Sequence, residues 1–258
     1  VTRSDVTGGG ETFCIASSAS HRIASHRIAS HRGEATSSRS TKRIRLFLDS
    51  AVAADWNAWL PTGLFYGVTT NPTLLARAGL RCDMETIREL VRAAFTFDIE
   101  ELHVQTWGGS AEAMLKRGRE IAALDPRIVV KVPITLEGVA VVRALRTAGI
   151  RTTFTALYAQ HQAFTAALIE AEYAAPYLGR ISDAGRDGLA EVVAMHAILR
   201  ACESSTRLLV ASIRTAADLG PLARAGLDTF TIGERVASEL FADPDTTAAT
   251  AAFEAAAS

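Results

Sequence analysis

From Ile44 onward, short apolar runs rich in β-branched side chains alternate with longer stretches whose apolar positions follow a helical period. The short runs fall at 45–48, 66–69, 102–105, 128–132, 152–155, 173–176, 208–211 and 228–232, and predict eight strands. Between them, 111–123, 136–147, 160–171 and 189–201 read as amphipathic helices, with Ser110 placed to cap the first. Strand and helix in alternation build βαβ units around a parallel sheet. Eight such repeats within 44–258 predict an α/β fold, a (β/α)8 TIM-type barrel at the small end of its usual size. A doubly wound sheet is the alternative, but no Gly-rich dinucleotide turn follows the first strand, and Gly8-Gly9-Gly10 lies far upstream.

The pattern stops abruptly before Ile44. Residues 1–43 are rich in Ser, Gly, Arg and His and contain the tandem units Ser20-His-Arg-Ile-Ala, Ser25-His-Arg-Ile-Ala and Ser30-His-Arg. Too few large apolar groups are present to offset the entropy of ordering, so a disordered N-terminal extension is expected, followed by one barrel domain over 44–258. His21, His26 and His31 recur every five residues, which matches neither a helix face nor a familiar metal-ligand spacing. The chain opens on Val1 and its first methionine is Met84, so a non-AUG start or a start assigned too far upstream is expected.

Composition narrows the class. With 258 residues, 48% of them hydrophobic, the chain can bury one large core. Residues 1–43 carry seven basic and three acidic side chains, a net of +4, which leaves −5 for the rest of a chain whose net charge is −1. An acidic body without a basic and aromatic stripe argues against nucleic acid as a partner. No apolar run approaches the roughly 18 residues of a membrane span. Cys14, Cys82 and Cys202 lie far apart and form no CxxC pair, so neither a zinc ribbon nor a disulfide framework is indicated, and a reducing, cytoplasmic location is expected.

In a parallel barrel the carboxyl ends of the strands converge on the active site. Here they carry reactive groups almost throughout: Asp49, Thr69 with Asn71, Gln105, Lys131, Thr155, Tyr177, and Ser212 with Arg214. Lys131 stands out in Ile128-Val-Val-Lys-Val-Pro133 because a lysine among β-branched residues points into the barrel. Burial disfavours its charged form and would leave an amine able to attack a carbonyl. From the pattern alone, a lysine that snorkels or pairs with a buried carboxylate such as Asp49 is the competing reading. His103, His161 and His196 are scattered singly and read as structural. Tyr158, Glu137 and the cluster Asp98, Glu100 and Glu101 read as loop, helix-start and solvated-face residues.

Val68-Thr-Thr-Asn-Pro72, Val130-Lys-Val-Pro133, Ala175-Pro-Tyr-x-x-Arg180 and Ala211-Ser-Ile-Arg214 together resemble the signatures of the transaldolase family, in order and in spacing. The resemblance implies that Lys131 forms an imine with a ketose and that Asp49 moves the proton of the hydroxyl at the cleaved bond. It implies further that Gln105, Thr155 and Tyr177 hold the catalytic water, that Thr69, Asn71 and Ser212 support the donor hydroxyls, and that Arg180 and Arg214 take a phosphate. Neither metal nor organic cofactor is implied. Transaldolases proper place glutamate and commonly phenylalanine where this chain has Gln105 and Tyr177, so these two residues resemble the fructose-6-phosphate aldolase branch. Arg214 is the residue usual in transaldolases. The expected activity is therefore class I aldol cleavage of a ketose phosphate such as fructose 6-phosphate, with dihydroxyacetone and glyceraldehyde 3-phosphate as the parts. Transfer of a dihydroxyacetone unit between sugar phosphates is the alternative, and an inactive metabolite-binding barrel the remote one. Family members are often oligomers, and a homo-oligomer is expected.

Overall fold

The computed structural model describes residues 44–257; the predicted N-terminal extension lies outside them. Eight parallel strands follow one another around a sheet in the order β7-β6-β5-β4-β3-β2-β1-β8. They are β1 (Arg45–Asp49), β2 (Gly67–Thr69), β3 (Glu101–Gln105), β4 (Ile128–Pro133), β5 (Thr152–Leu157), β6 (Tyr173–Pro176), β7 (Arg207–Leu208) and β8 (Thr229–Ile232). β1 pairs with both β2 and β8, and a parallel bridge between Val210 and Phe230 brings β7 to β8 and closes the ring. The predicted seventh strand at 208–211 is observed as two ladder residues plus single bridges at Val210 and Ala211, because the chain there turns between two neighbours instead of following one.

Among the described residues there are eleven helices: α1 (Ala53–Trp59), α2 (Pro72–Arg77), α3 (Met84–Ala94), α4 (Ala111–Ala122), α5 (Leu136–Thr147), α6 (Gln160–Ile169), α7 (Leu178–Asp183), α8 (Gly188–Ala201), α9 (Leu219–Arg224), α10 (Glu234–Glu239) and the exposed α11 (Pro244–Ala257). Their starts are written locally. Side chains of Asn71, Asp83, Ser110, Thr135 and Asp187 accept hydrogen bonds from backbone N–H groups in the first turns of α2, α3, α4, α5 and α8. In α3, Ile87, Val91 and Ala94 repeat at helical spacing and are the buried stripe. These stripes pack on the outward strand residues Leu48, Val68, Leu102, Val104, Val130, Val132 and Phe154 in one continuous core.

A second, smaller cluster fills the barrel itself, formed by Phe47, Tyr66, Val129, Tyr173, Ala175 and Leu209. Gly67 makes room for it, since a Cβ there would lie 2.2 Å from the Glu101 carbonyl and 2.9 Å from the Phe47 ring. At the amino ends of the strands the interior is charged. Glu101, expected on a solvated face, is instead buried and accepts hydrogen bonds from Tyr173 (2.8 Å), Tyr66 (3.2 Å), Arg151 (2.6 Å) and His103 (3.0 Å). Period-two alternation explains it: Leu102 and Val104 face the helices, which turns Glu101, His103 and Gln105 inward. Arg45 lies at the same level and donates to Tyr173 and Glu101. Despite burial, His103 and the Arg151 guanidinium hold the Glu101 carboxyl well below the usual carboxylate range. No helix among the described residues is long and apolar enough to cross a membrane.

Candidate active site

A cavity of about 330 Å³ opens at the carboxyl ends of the strands. Lys131, Asp49, Asn71, Tyr177, Arg180, Ser212 and Arg214, all expected from sequence, line it. Thr69, Thr155 and Gln105 do not, and their positions differ. Thr69 is fully buried behind Asp49, donating to its carboxyl at 2.6 Å and sharing a 2.6 Å hydrogen bond with Thr231. Thr155 lies 2.8 Å from the Tyr177 hydroxyl, behind that ring. Gln105 is half-buried and is the register partner of Lys131 on the adjacent strand.

Lys131 sits on β4 with inward alternation, between Val130 and Val132, which face the helices. Only 4% of its surface is exposed, and its Nζ donates to the Thr70 carbonyl at 3.1 Å. Burial pushes its pKa below the ordinary lysine range, while the nearby Asp49 opposes that shift. A group so placed keeps a reactive amine at the floor of a polar cavity. Beneath it, His103 is enclosed by its own hydrogen bonds. Glu101 can only accept, so His103 Nε2 carries the proton and Nδ1 accepts from Thr153 at 3.0 Å. Burial lowers the imidazole pKa, and His103 is accounted for structurally, as expected.

Tyr177 follows β6 directly and is buried enough to push its phenol above the ordinary tyrosine range, against the opposing effects of Thr155 and Arg180. The Arg180 guanidinium lies over its ring at 4.8 Å and reaches the Tyr158 hydroxyl at 3.4 Å. Tyr158, read from sequence as a loop residue only, packs edge-on against Tyr177 with ring centroids 5.6 Å apart. Arg214 bonds Asp183 at 2.5 Å, its side chain lying across Gly179. A Cβ at Gly179 would stand 2.4 Å from the Ser212 carbonyl and 2.5 Å from Arg214 Nε, so only glycine fits beneath this turn. Ser212 itself holds a left-handed backbone at φ 58°. Asn71 spends its Oδ1 on the Thr73 and Leu74 amides, leaving its NH₂ as the group free to donate.

Two further arginines line the cavity, Arg77 on α2 and Arg235 on α10. A search of strand ends passes over them because they rise from the helices that follow β2 and β8. Among the described residues, no group of three or more His, Cys, Asp or Glu side chains is arranged to hold a metal ion.

The profile of the family described as Transaldolase/Fructose-6-phosphate aldolase matches residues 46–258. The chain belongs to this family. Named relatives agree: it is 34% identical over 215 residues to the probable transaldolase of Agathobacter rectalis, covering 82% of this chain and 96% of that protein. With the probable transaldolase of Phenylobacterium zucineum it shares 36% over 204 residues, 78% of this chain and 90% of that one. With that of Carboxydothermus hydrogenoformans it shares 30% over 203 residues, 79% and 92%. Thiamine phosphate pyrophosphorylase from Pyrococcus furiosus superposes at a TM-score of 0.55 over 77% of this chain and 94% of that one; at 11% identity this concerns the barrel fold alone. As a member of the transaldolase/fructose-6-phosphate aldolase family, the chain is an enzyme of the metal-independent, Schiff-base class.

Proposed function

We propose that the chain transfers a dihydroxyacetone unit between sugar phosphates through an imine on Lys131. The observation that carries this reading is the buried Lys131 amine, held below ordinary lysine basicity at the floor of a cavity that it shares with Asp49. The neutral amine adds to the C2 carbonyl of a ketose phosphate and water leaves, giving an iminium. As the C3–C4 bond breaks, its electron pair moves to the iminium nitrogen, the C4 hydroxyl gives its proton to Asp49, and the aldehyde departs. The enamine then attacks a second aldehyde, Asp49 returns the proton, and water hydrolyses the new iminium to free the product and Lys131. Proton transfer of this kind contributes about 10²- to 10⁴-fold. In this reading Asn71 and Ser212, which line the cavity, bind the donor hydroxyls, and Arg180 and Arg214 take the phosphate.

The names of the relatives support transfer over simple release. A second reading, release of free dihydroxyacetone by an aldolase, has its own support: Gln105 replaces the acidic residue of transaldolases, and the Thr155–Tyr177 hydrogen bond of 2.8 Å offers two hydroxyls to a hydrolytic water. There the enamine takes a proton at C3 before hydrolysis, and Tyr177 is the one titratable group of the trio.

Borohydride trapping with fructose 6-phosphate, followed by peptide mass mapping, tests the common step. An adduct on Lys131 is expected, and none on a Lys131→Met protein; its absence from the wild type sinks the imine mechanism. Erythrose 4-phosphate then separates the readings. Transfer yields a seven-carbon ketose phosphate faster than free dihydroxyacetone, whereas free dihydroxyacetone formed without any seven-carbon ketose phosphate would overturn transfer in favour of release.

A further inference from the structure

The walls of the cavity carry Lys131 and four arginines, Arg77, Arg180, Arg214 and Arg235, against a single acidic residue, Asp49. Two of the guanidinium groups are already engaged by carboxylates outside the cavity. Arg214 bonds Asp183 at 2.5 Å, and Arg235 bonds Glu239 at 2.7 Å while donating to the Arg214 carbonyl. Arg180 has no carboxylate partner among the described residues and rests on the Tyr177 ring. Arg77 has no hydrogen-bond or ion-pair partner among the described residues. Uncompensated positive charge is thus concentrated at Arg77 and Arg180.

Their placement is opposed. Arg77 rises from the unit β2-α2 and Arg180 from β6-α7, and β2 and β6 are four strands apart in a ring of eight. Thr73, Leu74 and Arg77 share the side of α2 that meets the cavity, as helical neighbours do, and Asn71 pins the start of that helix at the same rim. We propose that Arg77 is a further substrate-binding residue that takes a phosphate monoester from the side of the mouth opposite Arg180. It makes the enzyme select phosphorylated over free sugars. This rests on the reading of Lys131 as the imine-forming residue.

The test compares wild type with Arg77→Met, which keeps an apolar stem, and Arg77→Lys, which keeps the charge. Dihydroxyacetone is condensed with glyceraldehyde 3-phosphate or with free glyceraldehyde, and dihydroxyacetone phosphate with free glyceraldehyde. Loss of one charge-assisted contact raises KM for a phosphorylated partner about tenfold or more in Arg77→Met, with kcat and the unphosphorylated pair unchanged, and Arg77→Lys recovers part of it. A rise confined to glyceraldehyde 3-phosphate puts the ester at the acceptor end, and one confined to dihydroxyacetone phosphate puts it at the donor end; either supports the assignment. Equal changes with phosphorylated and free substrates, or no change, overturn it. Calorimetric titration of the same proteins with inorganic phosphate needs no turnover. Weaker binding to Arg77→Met supports the site even where trapping on Lys131 fails, and equal binding counts against it.

Discussion

Replacing Glu101 by glutamine removes one negative charge from the amino-terminal end of the barrel while keeping shape, and turns one of the two acceptor oxygens into an NH₂ donor. The carboxyl is buried and accepts from Tyr173, Tyr66, Arg151 and His103, with Arg45 at 3.4 Å. Deleting one member of a buried ion pair costs about 3–5 kcal/mol, because the partner charge is left uncompensated. Arg151 keeps Glu172 at 2.5 Å, which puts the expected loss at the lower end, about 3 kcal/mol. Urea unfolding followed by circular dichroism reads it: with a slope of roughly 2–3 kcal/mol per molar, the midpoint falls by about 1–1.5 M. The acid limb gives a second readout. In the folded chain Glu101 titrates below the value of about 4.3 that glutamate has when unfolded, so as pH falls the unfolded chain takes up the proton first. Its stabilisation is complete above about pH 5 and is lost as pH falls towards the folded value. Glu101→Gln should therefore lose stability less steeply than wild type between pH 5 and pH 3. A midpoint within about 0.2 M of wild type, together with parallel acid limbs, would refute the view that this carboxylate ties the barrel floor together.

Asp49→Asn should cut turnover by about 10²- to 10⁴-fold. Because Asp49 holds the Lys131 pKa up against burial, its loss should also move the pH midpoint of Lys131 modification by an amine-selective reagent downwards, and an upward move would contradict the assignment. Gly179→Ala should cost roughly 1–3 kcal/mol and disturb Arg214 and Ser212, raising KM for phosphorylated substrates; thermal unfolding and steady-state kinetics check both, and a variant indistinguishable from wild type would show that the turn yields easily.

Strands such as β3 and β4 were legible because each is a compact apolar run followed by a helix with its own cap, Ser110 before α4 and Thr135 before α5. The strand ends were legible for the same reason, and Lys131, Asp49, Asn71, Tyr177 and Ser212 do meet in one cavity. What escaped was side-chain environment that depends on the closed ring. Glu101 follows Asp98 and Glu100 in sequence and looks like part of a wet acidic patch, yet strand phase sends it inward to meet Arg45, Tyr66, Arg151 and Tyr173 from four other parts of the chain. The signal available was the inward phase shared with His103 and Gln105. Arg77 and Arg235 escaped because helices deliver them to the mouth. That Arg214 is held by Asp183 depends on the fold of α7, whose last residues lie past the motif ending at Arg180.

The split between a charged floor and a reactive mouth has a consequence for how this barrel tolerates change. Ser212, in a left-handed backbone conformation, lies at the mouth, and Ala156, also left-handed, interrupts the register of β5 and β6 just past Thr155. Such conformations cost of order 1–3 kcal/mol each. The Glu101 network, at the opposite end and below the layer of Phe47, Val129 and Leu209, supplies cohesion without touching the substrate. Substitutions that retune the mouth for another sugar therefore draw on a reserve held elsewhere in the molecule. Lineages carrying the intact floor can explore new acceptors with less risk of unfolding than lineages that have lost it.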